Sequence, residues 1–131
     1  MDTYHVGKDS IQIRLSVDIT TTGLAATTAI LLIVASTDPG IPVAKSSEAS
    51  GDIAATVIGL PAVLVNKRLS IFTKISLTGS DLQARKQEFE RLTAKYSLSG
   101  GEDGEKTYQD PVRSADAEYF TAFLQENIDL I

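Results

Sequence analysis

Few side chains in this 131-residue sequence have the types and spacing that catalysis requires. His5 is the one histidine, and cysteine is absent. Without cysteine there is no disulfide, no thiolate-bound metal and no thiol nucleophile. A catalytic serine of the common type needs a histidine held beside a carboxylate. Because His5 lies near the start of the chain, where we expect a mobile segment, we predict a surface residue without a catalytic role.

An acidic loop holds the best oxygen ligands for a cation. Glu102, Asp103 and Glu105 lie in the glycine-rich stretch 99–105. Carboxylate oxygens suit calcium, but these residues do not follow the D-x-[DN]-x-[DN]-G spacing of a calcium-binding loop. We therefore predict a flexible, solvated loop, with a calcium site as the alternative.

Residues 100–107 approach the sequence of a phosphate-binding loop. They read Gly-Gly-Glu-Asp-Gly-Glu-Lys-Thr, with Glu105 where the motif has its second glycine. Such loops bind phosphate through clustered backbone N–H groups and a lysine, so three acids would repel the ligand. Pro111 also prevents the long helix that should follow. The sequence argues against a phosphate site here.

Carboxylates alone could catalyse a reaction if two of them faced each other and one had a raised pKa. The sequence offers candidates but does not indicate which of them meet: Asp18, Asp52, Asp110 and Asp116. A glycan platform would need tyrosines, since tryptophan is absent, and the candidates are Tyr4, Tyr96, Tyr108 and Tyr119. At positions 96 and 119 we predict a core role instead. The sequence thus predicts no catalytic, cofactor-binding or metal site.

The net charge of −5 argues against nucleic acid as a partner. Charge is uneven, with net −3 over 1–65, +4 over 66–95 and −6 over 96–131. Either a basic patch for an acidic partner or complementary faces of one fold explain this division. The stretch 68–74 mixes basic residues with only one aromatic, a weak match to a strand that binds RNA.

The chain begins with polar residues and lacks the pattern of a secretory signal. Its longest apolar run, 29–35, is far shorter than the roughly 20 residues that cross a bilayer. We expect a soluble, cytoplasmic protein without a membrane partner.

Several segments have the patterns of β-strands. Apolar residues alternate with polar ones over 11–19 and again over 69–77, which predicts two half-buried strands. The continuous run of threonine and apolar residues over 27–35 predicts a strand buried on both faces, with a short buried helix as the alternative. Stretch 53–60 predicts a further strand that either ends at Pro61 or lies at the edge of a sheet. Turns are expected at 20–23 and 37–40, and a long loop at 41–52 with a short edge strand at Val43 as an option.

Helical signals appear in the second half of the chain. Ser80-x-x-Gln83 has the form of a capping box, so we predict a helix near 81–91, followed by a strand over 92–99. In 114–131, Ala117, Phe120, Leu124 and Ile128 recur at helical spacing. We predict an amphipathic helix there, capped by Ser114, with a strand as the alternative.

Together these patterns predict a single β-rich domain over 1–131. The predicted fold is mainly β, a two-layer sandwich of about seven strands with one or two short helices. Valine, isoleucine and threonine make up a quarter of the chain, which favours strands over a helical bundle. The alternative is an α+β roll with both helices on one sheet face.

Without a catalytic motif, the sequence predicts a non-catalytic structural or protein-interaction module, such as a subunit or adaptor of an assembly. The alternatives are a domain binding a small molecule, glycan or peptide through loops 37–52 and 99–111, and a carboxylate-based enzyme. A deep pocket with two acids of raised pKa would favour the enzyme. A shallow surface with a large apolar patch would favour the interaction module.

The C-terminal segment is unusually apolar for a chain end. More apolar surface is present than one helix would bury, so we predict a contact with a protein partner or a second copy of the chain. The residues expected to carry it are Tyr119, Phe123 and Leu130.

The strand over 11–19 is tested by two substitutions on opposite faces. Leu15→Ala should lower the free energy of unfolding by about 2–5 kcal/mol, because it empties a core position. Arg14→Ala should change it by no more than about 0.5 kcal/mol, as exposed substitutions usually do. Chemical denaturation measures both values. Equal losses at the two positions would show that the alternation does not mark a buried and an exposed face.

Overall fold

A computed structural model of the chain describes residues 2–131, which form ten strands and two short helices. In chain order the elements are β1 (Asp2–Tyr4), β2 (Ile13–Thr20), β3 (Leu24–Ile33), β4 (Ile41–Lys45), β5 (Ile53–Gly59), α1 (Pro61–Leu64), β6 (Lys67–Ser76), α2 (Leu82–Glu90), β7 (Thr93–Gly101), β8 (Gly104–Tyr108), β9 (Val112–Ala115) and β10 (Thr121–Leu130). Within the described residues, neither helix has the length and apolarity needed to cross a bilayer.

The strands form two sheets that pack face to face as a β-sandwich. The larger sheet has the order β4-β3-β6-β10, and the far side of β10 is shared between β9 and β1. Its strands are antiparallel except for β1, which runs parallel to β10. The smaller sheet has the order β5-β2-β7-β8 and is antiparallel throughout. The predicted fold class is confirmed.

The core lies between the sheets and consists of alternate residues from the inner strands. On β2, Ile13, Leu15, Val17 and Ile19 are all buried, whereas Arg14 is exposed. The alternation over 11–19 therefore does mark two faces. Ile11 continues the pattern but is exposed and lies before the strand, which begins at Ile13, two residues later than predicted.

The long apolar run that became β3 is buried on one face only, which corrects the prediction of a strand covered on both sides. Ala25, Thr27, Ala29 and Leu31 are buried, while the residues between them are exposed or half-buried. Although β3 has a neighbour on each side within its sheet, only the inner face of that sheet is covered by the second layer. A strand in the middle of a sheet can therefore still have one face exposed to solvent.

The C-terminal segment is a strand, so the prediction of a helix over 114–131 was wrong. β10 pairs with β6 over nine residue positions and buries Ala122, Leu124, Ile128 and Leu130. Ser114, the predicted helix cap, lies in β9 opposite Phe123. Helical spacing and strand alternation share Leu124 and Ile128, and pairing with two neighbouring strands decides in favour of the strand.

The helix near 81–91 is confirmed, but its cap differs from the one predicted. The Asp81 side chain, rather than Ser80, accepts the N–H of Ala84 at 2.8 Å. Arg85 is the buried residue of α2, and its guanidinium donates to the carbonyls of Gly79 and Glu118. Leu82, the first residue of α2, is exposed.

The ends and the loops hold the strands that the sequence did not predict. β1, β8 and β9 have three, five and four residues, too few for a clear alternation. The start of the chain, expected to be mobile, is paired with β10. The acidic stretch 99–105, expected to be a flexible loop, consists of the end of β7, a two-residue turn at 102–103 and the start of β8.

Candidate functional site

An apolar cleft opens between β4 and β5, the edge strands of the two sheets. Its volume is about 480 Å³. We call it the edge cleft, and it is lined by Leu31, Ile33, Asp38, Pro39, Gly40, Ile41, Val43, Ile58, Val63 and Lys67. Leu31 and Ile58 are also members of the buried core. The edge cleft is thus a place where the interior of the sandwich reaches the surface.

The connection between β4 and β5 lies at one end of the cleft. After β4 the chain stays on β3, where Ser46 N–H donates to the Thr27 carbonyl at 2.9 Å and Ala25 N–H donates to the Ala49 carbonyl at 2.7 Å. It then crosses to the second sheet, where the Asp52 carboxylate accepts the Ile19 N–H at 2.8 Å. The cleft is open at the other end, beside 33–41 and 58–67, where the chain crosses again through α1 from β5 to β6 of the larger sheet.

Large apolar side chains surround the open end. Ile41 is 70% exposed, and Ile33 and Val63 are each 55% exposed. Three further exposed apolar residues follow or precede them in the chain: Val34, Leu60 and Val65. A single exposed apolar side chain is ordinary, but three at the rim of an apolar cleft, with three more close by in the chain, are typical of a surface that binds another molecule.

Local backbone features hold this surface in place. Gly40 has φ +84°, and a Cβ there would lie 2.6 Å from the Leu31 carbonyl oxygen, so glycine is required where the chain enters β4. On the opposite side Pro61 begins α1, which buries Leu64 and exposes Val63. The Lys67 ammonium donates to the Val63 carbonyl at 2.7 Å and holds the end of that turn.

A buried carboxyl group lies elsewhere in the sandwich. Glu126 on β10 is 3% exposed and faces the other sheet, where Tyr96 on β7 is fully buried. Within the described chain, Glu126 Oε2 and the Tyr96 hydroxyl have no hydrogen-bond partner. Burial, followed by the neighbouring carboxylate of Asp2, raises the pKa of Glu126 to about 8. Burial and then the charge of Glu126 raise the pKa of Tyr96 to about 12.

The structure does not bring the four predicted carboxylates together as an acid–base pair. Asp52 accepts the N–H of Ile19, and Asp116 accepts the N–H of Thr121 at 2.7 Å, which lowers the pKa of Asp116. Both therefore have structural roles in turns. Asp18 and Asp110 are exposed, and Asp110 is one of the acids that raise the pKa of Glu126. Glu126 itself was not among the sequence candidates, because nothing in the sequence distinguishes it from a solvated glutamate on a strand.

The acidic loop and His5 contact each other. Asp103 Oδ2 accepts the backbone N–H of His5 at 2.8 Å and lies 2.9 Å from the ring Nδ1. These contacts lower the pKa of Asp103. His5 is exposed, as predicted, but it has a structural contact that the sequence did not indicate. No group of three or more metal-ligating side chains converges among residues 2–131, including Glu102, Asp103 and Glu105.

The tyrosines are placed in the interior rather than on a platform. Tyr4, Tyr96 and Tyr108 are buried, which confirms the core role at position 96. Tyr119 is half-buried and packs edge-on against Phe89, with ring centroids 5.4 Å apart. Exposed aromatic area is contributed instead by phenylalanines.

The three residues predicted to contact a partner occupy different environments. Leu130 is fully buried in the core and has no surface to present. Tyr119 is held against Phe89. Phe123 lies half-buried on the outer face of the larger sheet, 5.7 Å from Phe72 between ring centroids. A contact through Phe123 remains a prediction.

Comparison with protein-family models, with curated proteins and with solved structures finds no match to this chain.

The buried carboxyl group makes stability depend on pH in a defined direction. In the unfolded chain Glu126 loses its proton near pH 4.5, whereas in the folded chain it keeps the proton until about pH 8. Folding is therefore favoured by this group below pH 4.5, and the advantage is lost as the pH rises through that window. Glu126→Gln should remove this loss, so the variant should gain stability relative to the parent protein between pH 5 and 8.

Chemical denaturation at a series of pH values measures this difference. Glu118→Gln, which changes an exposed glutamate, is the matched control and should follow the parent profile. If the Glu126→Gln and parent profiles run parallel, Glu126 is ionised in the folded protein and the assignment is wrong.

Proposed function

We propose that this protein is a non-catalytic interaction module, a subunit or adaptor that binds another protein through the edge cleft and the apolar side chains around it. The observation that carries the proposal is the apolar cleft between β4 and β5 with the exposed side chains of Ile33, Ile41 and Val63 at its rim. Apolar surface of this kind is covered in most stable proteins, and its exposure at one edge favours a partner that covers it. A cytoplasmic location belongs to this proposal.

The chemistry of the cleft supports binding over catalysis. It contains one acid, Asp38, and one base, Lys67, among eight residues without charge. Acid–base catalysis by carboxylates requires a second acid within reach of the same substrate. The one carboxyl group whose pKa is raised, among those described, is Glu126, and it does not line this cleft.

A second candidate is the binding of a small apolar molecule. The cleft volume of about 480 Å³ falls within the range of about 300–1,000 Å³ typical of ligand sites. Part of the predicted binding loop 37–52 lines it. This candidate predicts that the purified chain retains an extractable small molecule, which mass spectrometry of a denatured sample would detect.

Affinity purification with two matched variants tests the interaction proposal. Ile41→Asp places a charge beside the cleft, whereas Leu24→Asp places one on an equally exposed side chain at the start of β3. We expect the parent chain and Leu24→Asp to recover the same stoichiometric protein from the native cell. Ile41→Asp should lose it, because a charge buried in an apolar contact has no partner.

Phe123→Glu, included in the same purification, tests the outer sheet face separately. Loss of the partner with Phe123→Glu and retention with Ile41→Asp would place the contact on the outer face of the larger sheet. Recovery of identical proteins with all variants would contradict an interaction through either surface.

A further inference from the structure

We infer that a proton shared between the carboxyl groups of Glu126 and Asp2 holds residues 2–6 on β10, and that loss of this proton at rising pH releases them. We call residues 2–6 the closing segment, because they fill one edge of the sandwich. The switch does not depend on the proposed partner contact. Three observations on the fold support it.

The first observation is the position of the two carboxyl groups. The parallel pairing of β1 with β10 places Asp2 beside Ile128, on the inner face of the larger sheet. Glu126 lies two positions earlier on β10 and therefore shares that face. The two carboxyl groups are close enough to form a hydrogen bond with each other. An ionised carboxylate only accepts hydrogen bonds, so this bond exists only while one of the two groups is protonated.

The second observation is where a charge on Glu126 would lie. Glu126 is buried whereas Asp2 is exposed, so the proton belongs on Glu126. β9 pairs with β10 as far as Gln125, and β1 pairs with it from Ile128 onward. Glu126 thus lies opposite the junction of two short strands. If it ionises, water reaches the charge when the closing segment leaves β10, and the ladder between β10 and β6 stays intact.

Titratable or charged side chains face this position from several neighbouring elements. They are Asp2 on β1, Tyr96 on β7, Lys106 and Tyr108 on β8, Asp110 in the loop before β9 and Arg113 on β9, while β6 contributes the uncharged Ile71. Burial, the hydrogen bond with Asp2 and the charges of Asp2 and Asp110 raise the pKa of Glu126 to about 8, and the amino terminus acts in the opposite direction.

The two cations of this group have other partners. The Lys106 ammonium donates to the Thr3 carbonyl at 3.0 Å, and the Arg113 guanidinium donates to the Leu92 carbonyl. Neither ion pair of the described chain includes Glu126. An ionised Glu126 would therefore meet the carboxylate of Asp2 without a paired cation, and the two like charges would repel each other.

The third observation is the weak attachment of the closing segment. With three residues, β1 is the shortest of the described strands. Beyond this ladder the Val6 N–H donates to the Ile131 carbonyl and the Ile131 N–H donates to the Tyr4 carbonyl, each at 2.9 Å. Residues 8–12, which lead to β2, are exposed. The closing segment can therefore leave β10 while β2 stays in place.

Release of the closing segment changes the surface that the sandwich presents. Tyr4 and Val6 are buried, so their departure opens an apolar gap at the edge opposite β4 and β5. The side of β10 that pairs with β1 loses its partner at the same time. Rising pH thus converts a closed edge of the sandwich into an open one.

Native-state hydrogen exchange tests the release. The amides of Val6 and Ile131 report on the closing segment, and the Leu77 amide, which donates to the Phe120 carbonyl, reports on a remote part of the sandwich. Exchange at Val6 and Ile131 should be nearly independent of low urea concentrations, because detaching the closing segment exposes little surface. Exchange at Leu77 should be faster in urea, because it requires a larger unfolding.

The pH dependence gives the sign of the effect. After correction for the intrinsic exchange rate, protection of Val6 and Ile131 should fall about tenfold per pH unit between pH 5 and 7.5 and level off above pH 8. The reason is that release returns Glu126 from a pKa of about 8 to its ordinary value of 4.5.

Three variants assign the effect to the carboxyl pair. Glu126→Gln supplies a permanent donor to Asp2, so protection of the closing segment should no longer depend on pH. Asp2→Asn removes the repulsion, so the fall in protection should level off at a lower pH than in the parent chain. Asp9→Asn changes an exposed acid in the adjoining loop and should follow the parent profile.

Three results would overturn the inference. One is constant protection of Val6 and Ile131 from pH 5 to 8. Another is a urea dependence of these amides equal to that of Leu77, which would show that the closing segment leaves only when the whole domain unfolds. The last is an Asp2→Asn profile identical to that of the parent chain, which would exclude Asp2 as the partner of Glu126.

Discussion

The pairing of β10 with β6 is the interaction on which the rest of the structure depends. These two strands pair over nine positions, one fewer than β3 and β6, and they contribute Leu69, Ile71, Leu124 and Ile128 to the core. The far side of β10 then offers its remaining backbone groups to β9 and β1. Without β10 in place, the first and the ninth strand would have no neighbour to pair with, and the start of the chain could not close its edge of the sandwich.

Closure of the two edges is unequal, and this inequality gives the molecule its most distinctive surface. At one edge Tyr4 and Tyr108 are buried, and the Tyr108 hydroxyl donates to the Thr3 carbonyl at 2.6 Å. At the other edge β4 and β5 separate toward α1, and the core residues Leu31 and Ile58 line a cleft.

The core of the sandwich contains polar side chains in two different situations. Thr27 and Thr73 lie on neighbouring strands, and their hydroxyl groups form a hydrogen bond with 2.9 Å between the oxygens. Glu126 and Tyr96 come from opposite sheets and have no such arrangement. The carboxyl group avoids the larger cost of a buried charge by keeping its proton, which is why its pKa is raised to about 8. The polar pair lies away from the edge cleft, so the stability of the core and the proposed binding surface can be altered separately.

Local pattern determined much of the architecture. Alternation on β2 and β6 predicted both the strands and their buried faces. Because side chains of a strand point to opposite faces in turn, the apolar residues all lie on one face, and that face packs against the core. The β-rich composition predicted the sandwich, and the polar sequence before Leu82 predicted α2. What the sequence left open was decided by pairing between distant segments. Residues 114–131 satisfied two periodicities, and only the presence of β6 and β9 on either side selected the strand. The burial of Glu126 and the opening between β4 and β5 depend in the same way on which strands lie at an edge, because burial is a property of neighbours that are remote in the chain.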